Sequence, residues 1–496
     1  MVDPERIPVV VAVGEASERE ALVSPLDLAE RASAAALAGT RALGSAIDRV
    51  EVVRILAGGG QAPASELAVR LGIKPKAKAT TTVGGNTPQW LVGRAADDIA
   101  AGRVRAVLIA GAEALRSHQA RRSAGAAPSS AEDPPDPVIG DDRPGLSDVE
   151  VASGLFLPAH VYPLFESAIA TQLGRSVEEH RAALGRLMAP FSAVAAMRPH
   201  AWFPEALTPQ AISTPSPDNR VTAEPYTKRM NAVIMVDQGA AVVVTSLAVA
   251  QELGVADSAV FVWSAADCSD VWFPSQRPDL GASPAIAAAS AAALAAAGAG
   301  MDDIARLDLY SCFPSAVQMA AAALGIAPDD TRGLTVTGGL PYFGGPGNNY
   351  CTHSIAALTE SLQGAQDGTL GLITGLGWYM TKHSVGIYGS TPPPGGYRRG
   401  DTSREQQRID ATALAAAADA GDGSRAIVEA TTVIYDREGN PTSAPVIASL
   451  PDGRRIVARA AESDLAGLAG CNIAGSEVQV SGSPPTYHLE TDSSVS

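Results

Sequence analysis

The chain reads as an α/β protein. Three observations carry that reading: short apolar runs alternate with helical patterns, the alternation repeats in the second half, and a β-rich tail follows a proline-rich connection. In the first half the order is "VVVAV", "PLDLAERASAAALAG", "RVEVVRIL", "SELAVRLG", "WLVGRAADDIAAG" and "RAVLIAGAEAL", strand and helix in turn. From about Arg116 a polar, proline-rich passage interrupts, and alternation returns at "DQGAAVVVTSLAVA". The interruption holds helical stretches such as "FESAIATQLGRSVEEHRAALGRLMAPFSAVAAM", so it is an inserted region and not a bare loop.

The second half repeats the rhythm in "AVFVWSAAD", "AIAAASAAALAAAG", "RLDLYSCF", "LTVTGG", "HSIAALTESLQ" and "TLGLITGLG". A "GG" loop, helix and "LIAG" strand at 84–111 match a "GG" loop, helix and "LITG" strand at 338–375, which indicates two related halves. The expected division is 1–255 with an insertion at about 116–235, then 256–390, a linker at 391–405, and a C-terminal domain at 406–492. The last contains β-rich runs broken by "DREGNP" and "LPDGRR" and is predicted to be a small antiparallel β-barrel.

Composition narrows the function classes. Hydrophobic residues make up 46% and charged residues 18%, enough to bury large cores. A net charge of −16 argues against a nucleic-acid binder, which needs a basic footprint. Cys268, Cys312, Cys351 and Cys471 lack metal-ligand spacing, so no metal site and no disulfide framework is expected, and the N-terminus lacks a signal peptide's basic flank; a cytoplasmic protein is the reading. The uncharged run Leu280 to Met301 is mostly Ala, Gly and Ser, and is predicted to be a packed helix and not a membrane span.

The stretch "TVTGGLPYFGGPGNNYCTHSIAALTESL" concentrates five glycines and two prolines ahead of a helix, a backbone shaped for close approach. Together with "VGGNTPQWLVGRAADDIAAG", "EPYTKRMNAVIMVDQGAA", "DLYSCF" and "MTKHSVGIY", it resembles the thiolase superfamily, and in particular the sterol-carrier-protein type over roughly residues 5–390. The tail resembles the extra C-terminal domain of the thiolase-like proteins of type 1. The resemblance implies a duplicated, layered αβαβα fold.

The resemblance also implies where the chemistry should lie. The family's nucleophilic cysteine falls at Gly85, its "GHP" histidine at Gly345 between Gly344 and Pro346, and its second cysteine position at Ile373, so all three groups are absent. The "HDCF" position reads Tyr310, Ser311, Cys312, Phe313, which leaves Cys312 and Tyr310 as the candidate catalytic pair. Tyr342, Tyr350 and Cys351 are candidates by proximity. Expected ligand contacts are Asn86, Thr87, Gly338, Gly339, Gly344, Gly345, Pro346, Lys228 and Arg229, with Arg116 to Arg122 as a second group of cations.

Three readings follow. The first is a degenerate thiolase-like protein that binds an acyl-CoA or lipid thioester and needs no cofactor. The second is a retro-aldol CoA-thioester lyase or other acyltransferase using Tyr310 and Cys312, and the third is a scaffold docking partners through its C-terminal domain. Ordinary thiolases dimerise through the strand before the nucleophile loop. Here "GIKPKAKATTTVGG" sets Lys74, Lys76 and Lys78 at every second position, a charged edge that favours a monomer.

Overall fold

The computed structural model describes residues 2–39, 41–124, 134–327, 330–419, 421 and 423–489. Part of the polar passage after Arg116 (125–133) and the last three residues expected for the C-terminal domain (490–492) lie outside the described residues. The first half supplies β1 (Pro8–Ser17), β2 (Arg49–Val52), β3 (Ala77–Thr81) and β4 (Ala106–Ala114). The insertion adds β5 (Val138–Ile139), β6 (Val221–Ala223) and β7 (Tyr226–Thr227), and β8 (Asp237–Ser246) closes the half. The second half contributes β9 (Val260–Ser269), β10 (Ile304–Asp308), β11 (Leu370–Gly377) and β12 (Lys382–Gly389).

All of these strands except β6 and β7 form one sheet in the order β10-β11-β12-β9-β1-β8-β4-β2-β3-β5. In the first half β1–β8 and β8–β4 are antiparallel and β4–β2 is parallel. The second half repeats this, with β9–β12 and β12–β11 antiparallel and β11–β10 parallel. The halves join where Val9 and Val10 of β1 meet Phe261 and Val260 of β9. The duplication read from the loops is therefore a duplication of topology.

One expected strand is missing. "LTV" in the second half, the counterpart of β3, forms no ladder among the described residues. The reason is a side chain: the buried Asp308 carboxylate accepts from the Val336 and Thr337 amides at 3.0 Å each and from the Thr335 hydroxyl at 2.9 Å. Those amides are satisfied without a neighbouring strand.

Two helices are packed between the half-sheets. Thr87–Ala100 starts with Pro88 in its first turn, where a missing N–H costs nothing, and Tyr350–Leu362 follows the glycine loop. Leu91, Val92, Ala95 and Ile99 of the first meet Ile355, Leu358 and Leu362 of the second, with Val107, Ile109, Val242 and Val244 from the sheet. Burying each such Leu, Ile or Val side chain is worth about 1.5–3 kcal/mol, so this layer holds both helix starts rigidly. The uncharged run forms the helix Pro284–Ala297, capped by Ser283 and ended by Gly298 at φ 68. Among the described residues no helix is long and apolar enough to cross a membrane.

The segment 391–405 lies along the sheet. Its strand β13 (Arg398–Arg399) pairs with β9, the Gly400 amide bonds to the Ala265 carbonyl at 2.9 Å, and Tyr397 bonds to Asp97 at 2.7 Å. Beyond it come β14 (Ala416–Ala417), β15 (Ser424–Thr431), β16 (Ile434–Tyr435), β17 (Pro441–Ser443), β18 (Pro445–Ser449), β19 (Arg455–Ala460), β20 (Glu477–Ser481) and β21 (Thr486–Leu489). The series β19-β18-β15-β20-β21 closes where β21 returns to β19, giving a five-stranded barrel around Val428, Val446, Ile456, Val478, Val480 and Tyr487. The closing pair is parallel and the other pairs of the ring are antiparallel. β16 and β17 leave the barrel and extend the β6–β7 pair of the insertion, so the barrel is docked on the insertion.

Candidate active site

The nucleophile position of the resemblance, Gly85, lies in the loop between β3 and the helix Thr87–Ala100. It is buried, and a Cβ built there would meet the Tyr310 Oη at 2.2 Å and the Leu376 carbonyl oxygen at 2.6 Å. The phenol thus stands where a catalytic side chain would begin. Tyr310 follows β10, and its amide donates to Thr374 Oγ1 of β11 at 2.9 Å. Its ring packs edge-on against Tyr350 at 5.7 Å, and Tyr350 packs against Phe343 at 6.1 Å, which ties Tyr310 to the glycine loop.

Burial raises the Tyr310 phenol well above its usual range, and the Cys312, Cys351 and Tyr350 side chains push in the same direction. Burial likewise takes the Cys312 thiol up to about 12, and the neighbouring Tyr162 phenol only partly offsets it. Tyr162 donates to the Trp378 carbonyl at 2.8 Å. Cys351 is fully buried at a helix start, and its thiol is also held well above the ordinary cysteine value by burial and by Asp308. Thiolates and phenolates at neutral pH need the opposite, an exposed position or a close cation.

The glycine loop is closed by the protein itself. Gly338 has φ 115, and a Cβ there would meet the Ala195 Cα at 2.5 Å; on Gly344, at φ 116, it would meet Gln238 Oε1 at 2.2 Å. On Gly339 it would lie 2.9 Å from Phe191, and on Gly347 2.6 Å from Glu113. The loop's close neighbours are thus the helix Val177–Ala195 of the insertion and strand residues of the first half. Gly345 is roomier, with the nearest atom 3.3 Å from a built Cβ, and its amide donates to Val233 O at 2.8 Å. Pro346 and both Asn348 and Asn349 are part of the same seam: Asn348 accepts from the Gly84 amide at 2.9 Å, and Asn349 donates to Gly111 O at 2.6 Å.

Of the remaining expected contacts, Thr87 donates to Gly84 O at 2.7 Å and shapes the loop, while Asn86 donates to Ser384 at 3.1 Å. Ile373 does not join them: it is fully buried at midspan of β11, in the core between the half-sheets, and Gly375 and Leu376 border the loop instead. Lys228 is exposed, and Arg229 donates to Ala211 O at 2.8 Å while lying close enough to lower the Tyr342 phenol against its burial. Arg116 pairs with Asp237 at 2.8 Å and Arg121 bonds the Val23 and Leu22 carbonyls at 3.2 and 3.1 Å, which commits both to structure.

Sequence reasoning passed over two groups. Glu113 is buried beneath Gly347, accepts from the Leu56 amide at 2.6 Å, and is raised by burial to about 8. Lys382 stands inside the quoted motif "MTKHSVGIY", yet nothing in its spacing announces that it is 7% exposed and donates to Val83 O of the nucleophile loop at 2.5 Å. It follows a turn in which Trp378 and Met380 both hold left-handed backbone, at φ 57 and 56.

Duplicated halves, two buried central helices and a loop site between them define the thiolase fold, and the fold comparisons agree. The dimeric peroxisomal thiolase of Saccharomyces cerevisiae matches with TM-score 0.56 at 15% identity, over 78% of this chain and 98% of its own. The Ltp2-ChsH2(DUF35) aldolase matches with TM-score 0.58 at 20% identity, over 77% of this chain and 98% of its own. Residues 405–483 match the family described as the thiolase-like protein type 1 additional C-terminal domain. A monomeric SCP2-thiolase like protein type 1 from Mycobacterium smegmatis matches over 99% of this chain and 100% of its own, at 33% identity and TM-score 0.85. The chain belongs to the SCP2-thiolase-like proteins of type 1. No curated protein sequence matches it.

Proposed function

We propose that this protein binds an acyl-CoA or related lipid thioester and forms no acyl-enzyme, so that it carries out neither thiolysis nor Claisen condensation. The observation that carries this reading is the Tyr310 Oη, 2.2 Å from where a side chain at Gly85 would start. A thiol introduced there would have no room, and the nearby Cys312 and Cys351 thiols are held protonated by burial. The "GHP" histidine position is Gly345, which offers no side-chain donor. A thioester binder needs no nucleophile, and the exposed Lys228 is a cation it would offer to a nucleotide phosphate.

The lyase reading has in its favour a tyrosine, Tyr310, at the "HDCF" histidine position and packed against the nucleophile position, and a shared fold with an aldolase. Against it stands the direction of the Tyr310 shift, upward and away from a general base. The scaffold reading is weakened by the barrel's own docking on the insertion, which occupies the face that β16 and β17 present. We also favour a cytoplasmic monomer. Two measurements test the main reading together. Protein purified without added ligand is expected to carry CoA thioesters by native mass spectrometry and to leave acetoacetyl-CoA uncleaved in the presence of CoA; ligand-free protein or cysteine-dependent thiolysis overturns it.

A further inference from the structure

Gly85 faces Tyr310, while its neighbour Gly84 faces Lys382. A Cβ built on Gly84 would meet the Lys382 Nζ at 2.9 Å and Asn86 Oδ1 at 2.6 Å. Lys382 opens on a cleft of about 520 Å³ lined also by Thr82, Asn86, Asp141, Asp267 and His383. Lys382 is 7% exposed as a residue, and its one hydrogen bond among the described residues goes to a neutral carbonyl, Val83 O. Two further buried oxygens of lining residues, Thr82 Oγ1 and Asn86 Oδ1, have no partner among the described residues. The amine's spare donors and these two oxygens are therefore free to meet a molecule that enters the cleft.

The charges around Lys382 decide what that is. Asp141 is tied to Arg143 at 2.6 Å, Asp267 to Arg399, and His383 to Asp270 at 3.1 Å. Each lining carboxylate is thus already paired with its own arginine, and neither is bonded to Lys382. A neutral carbonyl compound can accept from the amine's spare donors without disturbing these pairs. Burial lowers Lys382 to about 8, with Arg143 adding to the effect and Asp141 opposing it, so the free amine forms at mildly alkaline pH.

We propose that Lys382 is a covalent capture site for a small aldehyde or ketone that enters this cleft. The deprotonated Nζ adds to the carbonyl carbon. The resulting carbinolamine takes up one proton on its hydroxyl, the C–O bond breaks to release water, and the nitrogen lone pair forms the new double bond to carbon, giving a protonated imine. No redox partner is consumed. The site borders the region of the thioester reading, since Asn86 and Thr87 line both, but it uses Lys382 and neither Tyr310 nor the glycine loop.

The test is reductive trapping with propionaldehyde and cyanoborohydride on the full chain, read by peptide mass spectrometry. At pH 8 about half of an amine titrating there is neutral, against well under about 1% for an ordinary lysine. The Lys382 peptide is expected to gain its label at least about tenfold faster than those of the exposed Lys74, Lys76 and Lys228, with the advantage shrinking as pH rises towards about 10, where ordinary lysines lose their protons as well. Lys382→Arg keeps a donor for Val83 O and is expected to remove that label alone, with folding checked by circular dichroism. Lys382→Gln serves if the arginine does not fit. Labelling of Lys382 no faster than the exposed lysines at pH 8, or a preference that does not shrink as pH rises towards about 10, overturns the proposal.

Discussion

At Gly85 the sequence announces an absence, and the fold supplies what fills it. Adding a Cβ there drives it into Tyr310 Oη at 2.2 Å, Tyr310 Cζ at 2.9 Å and the Leu376 carbonyl at 2.6 Å. Overpacking of this kind costs about 1–3 kcal/mol. Gly85→Ala is therefore expected to lower stability by that amount in denaturant titrations. In a Tyr310→Phe background the penalty should shrink by at least about 0.5 kcal/mol, because the shortest of the three contacts is gone. Strictly additive effects would show that Tyr310 does not fill the position. The loss of the nucleophile was legible from a motif; its occupant was not, because it depends on where β10 delivers a residue from the other half. Glu113 was invisible for the same reason. Its folded-state value of about 8 lies above the ordinary 4.5, so between those values the folded chain holds more protons than the unfolded one. Stability conferred by the protonated acid is full below about 4.5 and declines as pH rises towards 8, by up to about 1.4 kcal/mol per unit. Glu113→Gln removes that decline. Its stability relative to the parent should rise from pH 5 to pH 8 in thermal unfolding, and a constant difference would refute the assignment.

Among the elements, those that run long and apolar were readable and those made by side chains were not. β1, β4, β8, β9, β11 and β12 are fully or largely buried runs of eight or more residues, and periodicity finds such strands directly. The "LTV" segment has the composition of a strand, but its amides bond to Asp308, whose other oxygen accepts from Ser354 at 2.8 Å. β5, at two residues, is too short to show any period. Asp308→Ala would leave the Val336 amide and the Thr335 and Ser354 hydroxyls without their acceptor, and the Thr337 amide with Thr335 Oγ1 alone. At about 1–3 kcal/mol for each unsatisfied group, a loss of at least about 3 kcal/mol is expected. Hydrogen exchange should quicken at Val336 and Thr337, while the β1–β8 ladder stays protected up to the global limit. Unchanged protection at 336–337 would mean that the carboxylate does not hold the segment.

For the molecule as a whole, the question is whether the thiolase fold here keeps the family's dimer. In ordinary thiolases the strand before the nucleophile loop pairs across the two-fold axis, and here that strand is β3. Its free edge is already taken: β5 pairs with Thr80 and Thr81, the Thr80 amide donates to Pro137 O and the Thr82 amide to Ile139 O, each at 2.9 Å. β5 then becomes the sheet's outer strand, two residues long and preceded by a proline without an N–H, which are devices that block further pairing. The lysines read from the sequence are all exposed, and Lys76 pairs with Asp48 at 2.9 Å while 81% exposed, an ion pair worth little. They add like charge beside an edge that the insertion has closed by geometry. The relative from Mycobacterium smegmatis is a monomer, whereas the yeast thiolase, which matches only 78% of this chain, is a dimer. Light scattering at micromolar concentration and moderate salt is expected to give a single species at the 50.6 kDa chain mass. Because the block is an ordered strand and not charge alone, raising the salt to screen Lys74, Lys76 and Lys78 should leave that mass unchanged. A species of twice the mass that persists on dilution would show that β5 yields its place, and one that appears only at high salt would assign the block to the lysines.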